Sequence, residues 1–236
     1  MSMPGPATQF RAAAFDLDGT LIDTAPDLVT AVNGVLTANG YSALPDVRIR
    51  SFIGDGVEQL VLRALGASLG TGTVPANTLA MALSQFRDLY LQELFHRSRI
   101  YPGVVDTLQG LSSAGLSLCC VTNKEQGLAL PLLEAAGLAQ LLEFTLCATH
   151  PHERKPSPAM LLSACARLGI APRELLWVGD SGTDIRAGRA AGCAVVAVSY
   201  GYDQSVAAGP AADAMIGSLS ELLGDLNLPA SIWRRQ

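Results

Sequence analysis

Ala12–Leu28, AAAFDLDGTLIDTAPDL, sets a short apolar run directly before three aspartates that fall within eight positions. Residues two apart in extended chain share a side, so Asp16 and Asp18 are expected to project together from the end of a buried strand. At about 5 Å and an effective dielectric near 20, two such carboxylates repel by about 3 kcal/mol, or about two pKa units. One of them should hold a proton, or a cation should sit between them. A strand that ends this way needs partners from elsewhere in the chain.

The rest of the chain supplies them in a regular order. From Tyr101 onward, apolar runs at 116–123, 143–149, 174–180, 193–201 and 213–216 alternate with helical patterns at 103–114, 125–136, 157–168, 183–191 and 218–226. Runs apolar at nearly every position predict strands covered on both faces, as in a parallel sheet with flanking helices. Gly115, Gly137, Gly169 and Gly192 fall where the helices should stop. The pattern predicts an α/β fold, a doubly wound parallel sheet of Rossmann type, with Ala12–Asp16 as one of its strands. Between that strand and Tyr101 only helical spacing is found, over about 75 residues, which is too long for a loop. The expected organisation is therefore a core of residues 1–22 and 101–236, interrupted by a helical cap domain over 23–100. Its hinges are expected near Leu21–Thr24 and Ile100–Gly103, with a linker at 39–50 and an exposed loop at 66–76.

At 236 residues the chain is long enough for one large domain carrying an insert. Its net charge of −5, without a stripe of Lys and Arg, argues against nucleic-acid and anionic-membrane partners. The opening MSMPGPATQF has neither the basic nor the apolar region of a signal peptide, and no apolar run is long enough to span a bilayer. Five cysteines without a CxxC spacing are expected as free thiols in a reducing, cytoplasmic setting. His150 and His152 flank a proline and lack a third ligand nearby, so no metal role is expected of them.

In an open parallel sheet, ligands collect at the carboxyl ends of the strands. Four such ends carry polar residues here: Asp16 and Asp18, Thr122 and Asn123, Lys155, then Asp180 and Asp184. Oxygen ligands without thiolate or imidazole favour Mg²⁺, bound through carboxylates and a substrate phosphate. Four aspartates sum to −4, and a proton on Asp18 leaves −3, which Mg²⁺ and Lys155 together would cancel. The chemistry expected of this set is phosphoryl transfer from a small phosphorylated metabolite. Asp16 would attack phosphorus, and Asp18 would protonate the departing alkoxide and then activate water. Thr122 and Lys155 would hold the phosphoryl oxygens.

The segments FDLDGTLIDT (15–24), VTNK (121–124), RKPSP (154–158) and VGDSGTDI (178–185), in this order, resemble the haloacid dehalogenase superfamily. The resemblance extends from about Phe10 to Leu226. It implies Asp16 as nucleophile, Asp18 as acid/base with its backbone carbonyl also binding magnesium, Thr122 and Lys155 as phosphate-binding residues, Asp180 as a metal ligand and Asp184 as support for the metal shell. Thr20 and Asn123 join the substrate-binding set. Within the superfamily, FDLDGTLIDTAPDL, FIGDGVEQLVLRAL (52–65) and YPGVVDTLQGL (101–111) are most similar to the phosphoglycolate phosphatases, which implies hydrolysis of 2-phosphoglycolate. There the turn Gly54-Asp55-Gly56 would bring a helix N-terminus to a second anionic group, with Arg63 assisting. Phosphatases of sugar phosphates, N-acetylmuramate 6-phosphate or pyrophosphate carry similar motifs and remain open. A phosphomutase and a haloacid dehalogenase fit less well, the latter because Asp18 is present. The chain is expected as a monomer or homodimer.

Overall fold

The computed structural model describes residues 10–70, 73–203 and 212–224. Among these, six strands form one parallel sheet: β1 (Ala12–Phe15), β4 (Ser117–Thr122), β5 (Phe144–Cys147), β6 (Leu175–Gly179), β7 (Ala194–Val198) and β8 (Ala214–Ile216). Their spatial order is β5-β4-β1-β6-β7-β8, so the chain reverses its direction of travel across the sheet on either side of β1. The doubly wound α/β expectation is borne out. β1 lies in the middle, with Phe15 opposite both Cys120 of β4 and Val178 of β6.

Every residue of β1 is buried because both faces are covered, which explains the apolar run without alternation. Ala13 and Phe15 face one cluster with Leu108 and Leu132, from α5 (Val104–Ser113) and α6 (Gln126–Ala135). Ala12 and Ala14 face the other, with Leu161 and Ile185, from α7 (Ala159–Leu168) and α8 (Gly182–Ala191). Trp177 belongs to that second cluster and is fully buried. All four glycines expected to stop helices adopt left-handed φ.

Between β1 and β4 lie α1 (Ala25–Ala38), α2 (Asp46–Arg50), α3 (Val57–Leu69) and α4 (Ala76–Gln92). They share their own apolar cluster, built from Val32, Leu36, Leu60, Ala64, Phe86 and Tyr90 among others. Leu128 of α6 packs into the same cluster, so this helical insert is seated on the sheet domain.

Three expectations need correction. The segment before Tyr101 is not free of strands: β2 (Ile22–Asp23) pairs antiparallel with β3 (Arg99–Ile100). This ribbon joins the two connections to the insert, and two-residue strands are too short to leave a period in the sequence. The linker at 39–50 contains the short helix α2. The helix expected at 218–226 is a 3₁₀ turn over Leu219–Leu222, held by the Ser218 hydroxyl accepting from the Ser220 N–H, and its end lies outside the described residues. The loop expected at 66–76 also falls partly outside them, and its first residues belong to α3. All five cysteines are free thiols. No described helix is long and apolar enough to cross a membrane.

Candidate active site

The peptide after β1 is fixed by its own backbone. The Leu17 carbonyl accepts from the N–H groups of Leu21 and Ile22 at 3.0 and 3.1 Å, closing the DGT turn. Gly19 takes φ +87° there, and a Cβ at this position would stand 2.3 Å from Asp180 Oδ2, so the turn admits only glycine. This brings Asp16 against the ends of β4 and β6, where its neighbours are Asp180, Asp184 and Lys155.

The Lys155 ammonium bridges Asp16 Oδ1 at 2.6 Å and Asp184 Oδ1 at 2.7 Å, and lies 5.0 Å from the centre of the Trp177 ring. Burial opposes its charge, but the two carboxylates hold its pKa above the ordinary lysine value. Asp184 divides its oxygens. Oδ2 accepts from the Ser181 N–H and hydroxyl in a capping box at the start of α8, leaving Oδ1 for Lys155. The Asp184 carbonyl also accepts from the Trp177 indole at 2.9 Å.

Asp16, Asp180 and Asp184 are buried and can each offer an oxygen within 4.8 Å of the others. Burial pushes the Asp16 carboxyl up to about 7, with the charges of Asp184 and Asp18 adding and Lys155 opposing. Asp180 is raised well above the usual carboxylate range, again by burial first and then by Asp184 and Asp16. Three crowded carboxylates with one ammonium are an unbalanced set. An all-oxygen, buried and negatively charged cluster of this kind fits a hard divalent cation. The Asp18 side chain lies outside this triad, as the expected metal contact through its backbone carbonyl allows.

Asp18 has different partners. Its Oδ1 accepts from the Thr24 hydroxyl at 2.6 Å, and the Lys124 ammonium contacts its two oxygens at 3.0 and 3.3 Å. The repulsion expected between Asp16 and Asp18 is thus relieved by two separate lysines. Lys124 is the last residue of VTNK, and nothing in the sequence alone points to this contact. Burial works against its charge, yet Asp18 and Tyr90 keep its pKa above the ordinary value. With all four aspartates ionised, the two lysines leave a net −2, the charge that a divalent cation would cancel.

The Thr122 hydroxyl accepts from the Lys124 N–H and lines the cavity above Asp16. Asn123 also lines it, but its amide is committed to protein: Oδ1 accepts from the Lys155 N–H, and Nδ2 donates to the carbonyls of Lys155 and Gly54. It therefore ties the β4 end to the Lys155 loop and to the insert. Thr20 is fully buried, its hydroxyl lacking a hydrogen-bond partner and its carbonyl accepting from Tyr200.

Two spaces separate the insert from the sheet. The inner cavity, bounded by Asp16, Asp18, Thr122 and Lys124 below and by Gly54 and Gly56 above, is about 30 Å³, room for little more than a water. The insert is closed over it through Arg87–Glu125, with two bonds of 2.7 and 2.9 Å, and through Arg154–Glu58 at 3.5 Å. The outer cleft is about 610 Å³ and is lined by Arg50, Arg63, Asp55, Ser181 and Tyr202. Asp55 and Arg63 pair with each other at 2.5 Å and face this outer cleft, away from Asp16.

Tyr202 is a second residue whose role the sequence left dim. Its N–H donates to Asp180 Oδ2 at 2.7 Å, while its hydroxyl donates to Asp23 and accepts from the N–H groups of Thr24 and Ala25. One side chain thereby joins the acidic triad to the first connection of the insert. Tyr202→Phe should leave the fold intact but loosen that connection, each lost bond being worth about 1 kcal/mol. Amide exchange at 22–27 should accelerate at least about fivefold, and unchanged exchange would show that the hydroxyl does not restrain the segment.

The Haloacid dehalogenase-like hydrolase family model matches residues 13–198. The chain is 43% identical over 194 residues to a phosphoglycolate phosphatase of Nitrosospira multiformis, covering 82% of this chain and 85% of that protein. It is 40% identical over 212 residues to a phosphoglycolate phosphatase of Chromobacterium violaceum, covering 90% and 94%. A crystal structure of a predicted phosphoglycolate phosphatase from Haemophilus somnus 129PT superimposes with a TM-score of 0.86 at 33% identity, covering 92% of this chain and 98% of that one. With strand order, motif placement and relatives in agreement, the chain is an enzyme of the haloacid dehalogenase-like hydrolase family, and its relatives place it among the phosphatases.

Proposed function

We propose that this enzyme hydrolyses 2-phosphoglycolate to glycolate and phosphate through a phosphoryl intermediate on Asp16, using Mg²⁺. The observation that carries this reading is the placement of Asp16. It lines the cavity while Lys155 holds only its Oδ1, so the other oxygen is available to a phosphorus atom in that space.

In the first half-reaction the free oxygen of Asp16 bonds to phosphorus as the ester P–O bond breaks. Asp18, protonated when the substrate is bound, passes its proton to the departing glycolate oxygen. Lys155 and the Thr122 hydroxyl neutralise and orient the phosphoryl oxygens. In the second half-reaction Asp18 takes a proton from water as that water bonds to phosphorus, and the P–O bond to Asp16 breaks. Mg²⁺, when held by Asp16, Asp180 and Asp184, supplies positive charge that lets an anionic ester approach a negative site. Because the closed inner cavity is too small for the substrate, the insert must open for binding and close again to exclude water. The choice of 2-phosphoglycolate over other small esters is supported by the named relatives.

The test is phosphate release from 2-phosphoglycolate beside sugar phosphates and pyrophosphate, with Mg²⁺ and with EDTA. A preference for 2-phosphoglycolate that EDTA removes is expected. Preference for another ester would overturn the substrate, and full activity in EDTA would overturn the metal.

The metal is also testable without turnover. In the metal-free protein Asp16 titrates near 7 when folded and near 4 when unfolded, so the folded state binds the extra proton between these values. This group's penalty is full above about pH 7 and disappears as pH falls toward 4. Mg²⁺ must displace that proton at low pH but not at high pH. At a fixed concentration it should therefore raise Tm more at pH 8 than at pH 5.5, and an equal or reversed effect would contradict binding at the triad.

A further inference from the structure

Lys124 is left over from the chemistry just described. Lys155 serves the acidic triad, whereas Lys124 pairs, among the described carboxylates, with Asp18, the residue assigned above to protonate the leaving group. Its side chain is 1% exposed, yet its residue lines the inner cavity, where it is the only cation among the described lining residues. Arg63 and Arg50 face the outer cleft, and Arg154 is paired with Glu58. Above Lys124 lies the insert: the Tyr90 ring is 4.6 Å from the ammonium, and Gly56 stands at the start of α3 with no side-chain cap on the helix.

We infer that Lys124 is the specificity-determining residue, and that it binds a carboxylate carried by the leaving group one carbon from the ester oxygen. This rests on the 2-phosphoglycolate reading and deepens it. Asp18 must approach the ester oxygen to protonate it, and Lys124 lies against both Asp18 oxygens. A carboxylate one carbon farther along the leaving group falls within reach of the same ammonium. The substrate anion then takes over contacts that Lys124 makes with Asp18 in the closed, ligand-free state. A lysine buried this deeply loses much of its hydration, so it discriminates strongly between a leaving group that supplies an anion and one that does not. The first turn of α3 closes the other side of the same space, where a helix N-terminus favours negative charge. Tyr90 keeps water off the ammonium as the insert closes, and its ring face favours a cation at that distance.

Ethyl phosphate provides the comparison, since it replaces the carboxylate of 2-phosphoglycolate with a methyl group. kcat/KM for both esters is measured in the Mg²⁺-loaded wild type, in Lys124→Met and in Lys124→Gln, with Tm establishing that each variant folds. In the wild type 2-phosphoglycolate should be favoured by on the order of 100-fold or more. Both esters should lose rate in the variants, because Asp18 loses its partner. The loss should be at least about 30-fold greater for 2-phosphoglycolate, so that the preference collapses. Equal losses for the two esters would overturn the assignment while leaving the substrate reading intact, since the preference would then survive. A wild type that hydrolyses other esters but not 2-phosphoglycolate would overturn the substrate reading, and the assignment with it. If neither variant folds, a wild-type preference below about tenfold still overturns the assignment, because a buried cation on a carboxylate cannot discriminate so weakly.

Discussion

Asp16→Asn is expected to reduce phosphate release by 10⁴-fold or more while leaving the protein folded. Loss of a covalent nucleophile has effects of about this size or larger, equivalent to at least about 5.5 kcal/mol of barrier. Asparagine matches aspartate in shape, so the DGT turn and the packing of β1 should be unchanged. The substitution also removes one of three crowded negative charges, and Lys155 retains Asp184 at 2.7 Å. Tm should accordingly stay level or rise in the absence of metal. This combination separates a chemical defect from a folding defect. Activity within about tenfold of wild type would show that Asp16 is not the attacking group.

Lys155→Met should damage stability and turnover together. The side chain is 2% exposed and bridges two buried carboxylates. Breaking such a cluster by removing one partner costs about 3–5 kcal/mol, which for a chain of this size is a fall in Tm on the order of 10 °C. The methionine stem preserves packing against Trp177, so the loss comes from the charge and not from a cavity. Without Lys155 to oppose it, the upward push that burial and Asp184 exert on the Asp16 carboxyl would grow, so Asp16 would hold its proton more strongly. The destabilisation should be larger at pH 8 than at pH 5.5, and saturating Mg²⁺ should restore part of it. A Tm within about 2 °C of wild type at both pH values would contradict the proposed role of Lys155 as the neutralising charge.

What could be read from sequence divides along physical lines. Strands such as Val178 and its neighbours in β6 are apolar at every position because both sheet faces are covered, and that pattern survives without coordinates. The aspartates at the ends of β1 and β6 were legible because a parallel sheet gathers its carboxyl ends, whatever the side-chain rotamers. The β2–β3 ribbon was not, since its pairing is long-range and each partner is two residues long. Orientation was the other blind spot. Asp55 sits between two glycines that line the inner cavity, but its carboxylate pairs with Arg63 of α3 in the outer cleft. Asn123 is near the expected phosphate position, yet its amide is consumed by backbone groups of Lys155 and Gly54. Lys124 carries no signal of its own within VTNK, because only the fold shows that it meets Asp18 across 106 positions of chain.

The central claim is that the phosphoryl group passes through Asp16. It is tested most directly by mixing the Mg²⁺-loaded enzyme with radiolabelled 2-phosphoglycolate, quenching in acid within one turnover, and locating the label by peptide mass spectrometry. A hydroxylamine-sensitive label on the peptide that contains Asp16, absent in Asp16→Asn, is the predicted result. Rapid turnover with label on no peptide, or on a residue other than Asp16, would contradict it.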